Sequence, residues 1–198
     1  MIKPGGIQNK ARDVGVRDQQ IEKDYILSWI LQGIANHSTL SKTIVFKGGT
    51  VLKKVYFKDY RFSEDLDFTL LEEEANISLE IIDPESHRDR LEHQDGGINF
   101  YISYVGPLGG LGANKKVKVD ISRSEKLVFE PILNNAFIDY TDQEEHQLLC
   151  HSLEEVLVEK LRFVMQRMQA RDFYDIWYLP DFETVLREVM RHLKKLEL

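Results

Sequence analysis

The sequence predicts an α+β fold, and three observations carry that prediction. Apolar residues recur at helical spacing from Asp18 onward, alternating apolar and polar residues mark strands through the middle, and helical spacing returns from Leu153 to the end. The 198 residues fit one compact domain, or one with a helical appendage. We place residues 1–150 in an α+β core that includes the N-terminal helix and residues 151–198 in a C-terminal helical lobe. With 42% hydrophobic and 30% charged residues, the composition supports a solvent-compatible core.

Composition also narrows the functional classes. A single cysteine, Cys150, excludes an internal disulfide framework and fits a reducing cytosol. No segment resembles a signal peptide, and no apolar run approaches the ~18 residues that span a bilayer. The expectation is a cytoplasmic protein with no membrane partner. A net charge of -7 argues against a broad, sequence-independent grip on nucleic acid, while leaving room for a local basic groove.

In order along the chain, residues 1–15 carry Pro4, Gly5 and Gly6 without periodicity and read as a loose arm. From Asp18, the spacing of Ile21, Tyr25, Ile26, Trp29, Ile30 and Ile34 predicts a helix with a scaffold role. A short apolar strand over 43–46 then runs into Gly48-Gly49, and Thr50 opens a helix carrying Val51, Leu52, Val55 and Tyr56. Past Phe68, residues 72–74 are acidic, 77–82 offer a strand, and 85–97 read as a solvated loop whose His87 and His93 lack zinc-ligand spacing. Next comes a hairpin, Ile98, Phe100 and Ile102 alternating with Asn99, Tyr101 and Ser103, with K-V-K-V-D-I-S as the return strand. Residues 124–147 are irregular, with Pro131, Asn134 and Asn135 marking turns, and 148–150 offer a short strand. Ser152-Leu153-Glu154-Glu155 reads as a capping box opening a helix with the stripe Leu153, Leu157, Leu161, Val164 and Met168. On another face of that helix, Lys160, Arg167, Arg171 and Asp175 fall together, and the aromatic run after Asp175 suggests that this end is packed. The tail repeats helical spacing through Val185, Leu186, Val189, Leu193 and Leu196.

The chemistry concentrates between Phe46 and Phe68. Two glycines at a strand-to-helix junction let a backbone approach a ligand closely, and a helix N-terminus with the free hydroxyl of Thr50 favours phosphate. Asp65 and Asp67 stand two apart, so if Leu66 and Phe68 face a core, both carboxylates share the opposite face within reach of one divalent metal. A triphosphate beside two carboxylates requires a cation between them, which makes the two motifs one metal-triphosphate site. Alone, Gly48-Gly49 is more often a plain turn, and a D-x-D arises by chance in many acidic proteins. Asp120 has the same ambiguity: Val117, Val119 and Ile121 share one face of the return strand, leaving Lys118, Asp120 and Ser122 on a face that is normally just solvated.

The combination K-G-G-T, R-F-S-E-D-L-D-F, a later K-V-D and the helix E-K-L-R-F-V-M-Q-R-M-Q-A-R-D-F-Y-D-I-W resembles the AbiEii/AbiGii toxin family, over roughly 22–179. Proteins of that family are nucleotidyltransferase-like enzymes of the DNA polymerase β superfamily, known as the toxin half of bacterial toxin-antitoxin and abortive-infection systems. The resemblance implies a polymerase-β-like core, a small mixed sheet flanked by helices, with the C-terminal lobe completing the active site. It implies Asp65, Asp67 and Asp120 as ligands of Mg²⁺, in a two-metal arrangement, and Lys160 and Asp175 as catalytic partners from the later helix. Lys47, Gly48, Gly49, Thr50, Ser63 and Arg171 are the expected nucleotide-binding set, with Arg61 either beside them or a surface residue. Implied partners are an NTP, a cognate antitoxin and an RNA acceptor, a tRNA end above all. Members of the family often continue further, so the C-terminal helical part is expected to be short or truncated here. Two other readings stand beside this one: a non-catalytic nucleotide-binding or interaction module, and a nucleotidyltransferase acting on protein or on a small molecule.

Overall fold

A computed structural model describes residues 1–71, 91–92, 97–110, 115–123, 125–179 and 182–195. The expected strand over 77–82, with His87 and His93, lies outside the described residues. The chain divides into two compact units: residues 1–125 with 133–149, and residues 126–132 with 150–198.

The first unit opens with a helix where the sequence suggested a loose arm. Helix α1, Pro4–Val14, starts on a proline and stops at Gly15 in the left-handed conformation, φ 71°. Proline has no N–H to lose at a helix start, and glycine carries no Cβ penalty at its end. The Pro-Gly-Gly that looked like a breaker is therefore a first turn, and Ile7 and Ala11, one helical turn apart, are buried.

Helix α2, Asp18–Asn36, begins where the spacing places it, but its buried face is broader than the apolar stripe. Glu22, Asp24, Ser28 and Gln32 are buried with Ile21, Tyr25, Leu27 and Leu31, while Trp29 is 37% exposed. Ile7, Ala11, Ile21, Tyr25 and Tyr140 form one core cluster. Polar residues enter this face because partners await them. Asp24 pairs with Lys54 at 2.8 Å and accepts the Tyr140 hydroxyl, while Glu22 accepts from the Leu108 amide at 2.7 Å and pairs with Lys115.

After a short helix α3, Leu40–Thr43, strand β1, Ile44–Lys47, leads straight into helix α4, Gly48–Val51. The helix thus begins at Gly48 rather than at Thr50, and it widens into a π turn, Leu52–Tyr56, closed by the Phe57 amide on the Leu52 carbonyl at 2.7 Å. The strands β2 (Asp65–Leu70), β3 (Leu91–Glu92), β4 (Ile98–Ser103), β5 (Lys116–Ser122), β6 (Ile132–Asn135) and β7 (Gln147–Cys150) complete a seven-stranded sheet, ordered β3-β4-β5-β2-β1-β7-β6. β2 runs antiparallel to β1 and parallel to β5, so the sheet is mixed. Two strand assignments correct the sequence reading: 91–92 pair with β4 where a loop was expected, and 132–135 form a strand where turns were expected.

In the second unit, α5 (Leu153–Arg167), α6 (Ala170–Tyr178) and α7 (Phe182–Lys195) form the helical lobe. The Ser152 hydroxyl accepts the Glu155 amide at 3.2 Å, one half of the expected capping box. The other half goes elsewhere: the Glu155 carboxylate accepts the Val128 and Phe129 amides at 2.9 and 2.8 Å, fastening 126–132 to the lobe. The expected continuous helix breaks at Met168, whose φ of 48° ends α5. The Leu153-to-Met168 stripe is correspondingly only partly inside, with Leu157 buried and Met168 72% exposed. The aromatic end of α6 is only partly packed: Trp177 is 77% exposed and Tyr174 36%, while Ile176 and Tyr178 are half-buried and the Tyr178 ring lies 5.7 Å from that of Tyr174.

Candidate active site

Strand pairing builds the carboxylate face. Across the parallel β2–β5 pair, Asp67 stands opposite Asp120 and Asp65 opposite Lys118. Opposed residues share a face, so Asp65, Asp67 and Asp120 stand together while Leu66, Phe68, Val117, Val119 and Ile121 are buried. The period-two alternation read from the sequence is the alternation observed in both strands.

Gly48 explains why a glycine is needed beside this face. Its φ is 75°, a conformation that L side chains resist, and a Cβ there would collide with Oδ2 of Asp67. The Asp67 carboxylate therefore lies directly over the backbone at the start of α4. Gly49 is covered by a different pair: its Cβ would meet Arg61 Nη2 at 3.1 Å and Ser63 Oγ at 3.7 Å. Arg61 and Ser63 thus stand next to the glycine motif.

Two members of the expected nucleotide-binding set are engaged otherwise. Thr50 is 1% exposed, and its hydroxyl donates to the Asp65 carbonyl at 2.6 Å, so it clamps α4 onto β2 rather than standing free. Lys47 is 7% exposed and bonds Ser122 Oγ at 3.1 Å and the Glu125 carboxylate, which also accepts from Thr69 at 2.9 Å. Lys47 lies opposite Asp67 on β1, so its ammonium is held on the same face, one rung inward. Glu125, which no sequence pattern singled out, fixes it there.

Lys118, which the sequence reading puts on this face beside Asp120 without giving it a role, is the other unassigned residue. Its ammonium pairs with Asp120 at 2.7 Å. That hydrogen bond raises its pKa from the usual lysine value, against the opposing effect of burial, and Asp65 adds to the rise. The signal was present in the K-V-K-V-D alternation, which puts Lys118 two residues before Asp120 on the same face.

No three acidic, histidine or cysteine side chains among the described residues close on one point as a ready cation cage. The donor chemistry nonetheless suits a hard divalent cation, because Asp65 and Asp67 offer carboxylate oxygens from one strand and Asp120 stands in register beside Asp67.

In the second unit, Lys160 and Asp175 pair at 3.0 Å and are almost fully buried. The break at Met168 invalidates the single-helix arithmetic that put them together, yet α6 still returns Asp175 to Lys160. Arg167 lies at the end of the same helix. It forks onto Asp172 at 2.8 and 2.9 Å, and the guanidinium holds that carboxyl below its ordinary range. Arg171 is exposed on α6.

A mixed sheet bearing aspartates on adjacent strands, with a glycine-started helix against one of them, suits a nucleotidyltransferase, and the family match supplies that class. The chain belongs to the AbiEii family, whose model, "Nucleotidyl transferase AbiEii toxin, Type IV TA system", matches residues 29–197. Membership brings an NTP substrate and a cognate antitoxin as partner. Among solved structures, the chain is similar in fold to MenT4, a nucleotidyltransferase toxin from Mycobacterium tuberculosis H37Rv, with a TM-score of 0.57 and 18% identity. The match covers 96% of this chain and 69% of that one. A search of curated proteins gives no match. No described helix is long and apolar enough to cross a membrane.

Proposed function

We propose that this chain transfers a nucleoside monophosphate from an NTP to a hydroxyl acceptor at an RNA end, tRNA first among them, in the cytosol. The observation carrying this reading is the placement of Asp67 over Gly48 and opposite Asp120, which joins the carboxylates to the glycine motif. In the reaction, the acceptor oxygen bonds to the α-phosphorus, the bond to the β-phosphate oxygen breaks, and pyrophosphate leaves with the electron pair. Asp65 and Asp67 would hold Mg²⁺, which when bound neutralises charge on the triphosphate and the departing oxygen. Asp120 takes the acceptor's proton, and Arg61 and Ser63 beside Gly49 orient phosphate oxygens. Lys160 and Asp175, locked to each other inside the second unit, and Arg171 on its surface enter this reading through the family resemblance alone.

The test is transfer of label from each α-labelled NTP, with Mg²⁺, to total tRNA, beside an Asp65→Ala/Asp67→Ala control. Label on RNA only with both aspartates present is the expected result, and it names the base. Label on protein instead moves the acceptor class, and no label on any acceptor with intact protein removes the transferase reading in favour of a binding module.

A further inference from the structure

We infer that Tyr101 is the platform on which the terminal base of the RNA acceptor stacks, so that β4 forms the acceptor side of this site. The inference rests on the reading above that the acceptor is an RNA end, and goes beyond it in assigning the residue that holds that end.

Strand register puts the ring there. Asp120 lies opposite Asn99 across β4–β5, and Lys118, two residues earlier on β5, lies between Asp65 on β2 and Tyr101 on β4. Tyr101 therefore shares the face of the three aspartates and stands diagonal to Asp120, about 7–8 Å away between backbones in an antiparallel pair. On that face of β2, β5 and β4 it is the one aromatic side chain among the described residues, because Phe68 and Phe100 alternate onto the opposite face. The ring is also open: Tyr101 is 40% exposed, whereas Asn99 beside it is 5% exposed.

The order of the sheet decides which nucleotide the ring meets. The glycine motif follows β1, which flanks β2 on one side, and β4 flanks β5 on the other. A triphosphate held at Gly48 and Gly49 thus reaches the carboxylates from the β1 side. Tyr101 lies on the far side, next to the carboxylate that takes the acceptor's proton.

A single strand of nucleic acid is held by aromatic faces for its bases and by cations for its backbone. Lys116 and Lys118 share the carboxylate face of β5, and the Lys116 ammonium lies 5.8 Å from the centre of the Tyr101 ring. In a chain of net charge -7, positive charge and an open ring coincide here on one strip of sheet. Stacking tolerates every base, so Tyr101 sets where the RNA end lies rather than which base it carries.

The test is fluorescence anisotropy at low salt with two short single-stranded RNAs labelled at the 5′ end, identical except that the last ribose of one carries no base. The wild type should bind the intact RNA about tenfold tighter than the abasic-ended one, the gain from one base–aromatic stack. Tyr101→Ala should bind the two alike, while Tyr101→Phe and Tyr101→Trp should keep the preference, because the ring is used and not the hydroxyl. Melting temperatures of the variants separate loss of the ring from loss of the fold. A folded Tyr101→Ala chain that still prefers the intact RNA overturns the inference. So does a Tyr101→Ala chain whose KM for NTP rises while its RNA binding is unchanged, since the ring then serves the NTP base. A wild type that binds both RNAs alike, or neither, also overturns it and leaves the nucleotidyltransferase class standing. RNA bound with the expected preference but never labelled by transfer overturns the acceptor reading above and keeps Tyr101 as a base platform.

Discussion

Gly48 is the residue at which conformation and chemistry meet. Its positive φ and the Asp67 carboxylate packed over it both exclude a side chain. Gly48→Ala should cost about 1–3 kcal/mol of stability from backbone strain alone. It should also displace Asp67, so Mn²⁺ binding should fall more steeply than the melting temperature suggests; equal losses in both would reduce Gly48 to a structural glycine. The sequence pattern exposed this pairing well, because a glycine motif and a D-x-D are local signals. Side-chain partnerships were not legible in the same way. Lys47 and Thr50 look like phosphate ligands when read along the chain, yet Glu125 and the Asp65 carbonyl claim them. Those partners lie 78 and 15 residues away, beyond what spacing reports.

At the scale of elements, period two transferred to the structure more faithfully than period 3.6. β2 and β5 alternate as read, because a half-buried strand must present one face to the core. The helices misled where polar residues carry the packing. α1 hides behind a Pro-Gly-Gly, α2 buries Glu22 and Asp24, and the α5–α6 break falls at Met168, a residue with no turn signature. Across that break the Arg167–Asp172 fork ties the two helices together, beside the Lys160–Asp175 pair. Arg167 lowers the Asp172 pKa, so its contribution is complete above the unfolded carboxylate value of roughly 3.9 and is lost as pH falls through the depressed folded value. The stability difference between wild type and Arg167→Met should therefore be flat through neutral pH and close in acid. Chemical denaturation at a series of pH values measures it, and a difference that persists below the folded value would mean packing on Phe163, 4.0 Å away, dominates instead.

For the whole molecule, the first unit is organised around a buried ammonium as much as around its apolar core. Lys54, 2% exposed on the π turn, pairs with Asp24 of α2 and Asp139 of the segment after β6, at 2.8 and 2.9 Å. Tyr140 joins by donating to Asp24, and burial among these carboxylates pushes its hydroxyl pKa upward. Removing the cation strands two buried carboxylates, so Lys54→Met should destabilise the chain by about 3–5 kcal/mol, seen as an earlier urea midpoint. A loss under about 1 kcal/mol would show that water or a neighbouring lysine replaces it.

The chain has two tryptophans, and the structure treats them unequally. Trp177 stands 77% exposed on α6, while Trp29 on α2 is 37% exposed and lies edge-on to Tyr25. The protein therefore carries its own optical probe at α6: emission from Trp177 is open to a dissolved quencher, and Trp29→Phe leaves it as the sole indole signal. Any molecule that settles on that helix shields the ring and shifts its emission to the blue, so an acceptor or partner can be watched arriving without a label.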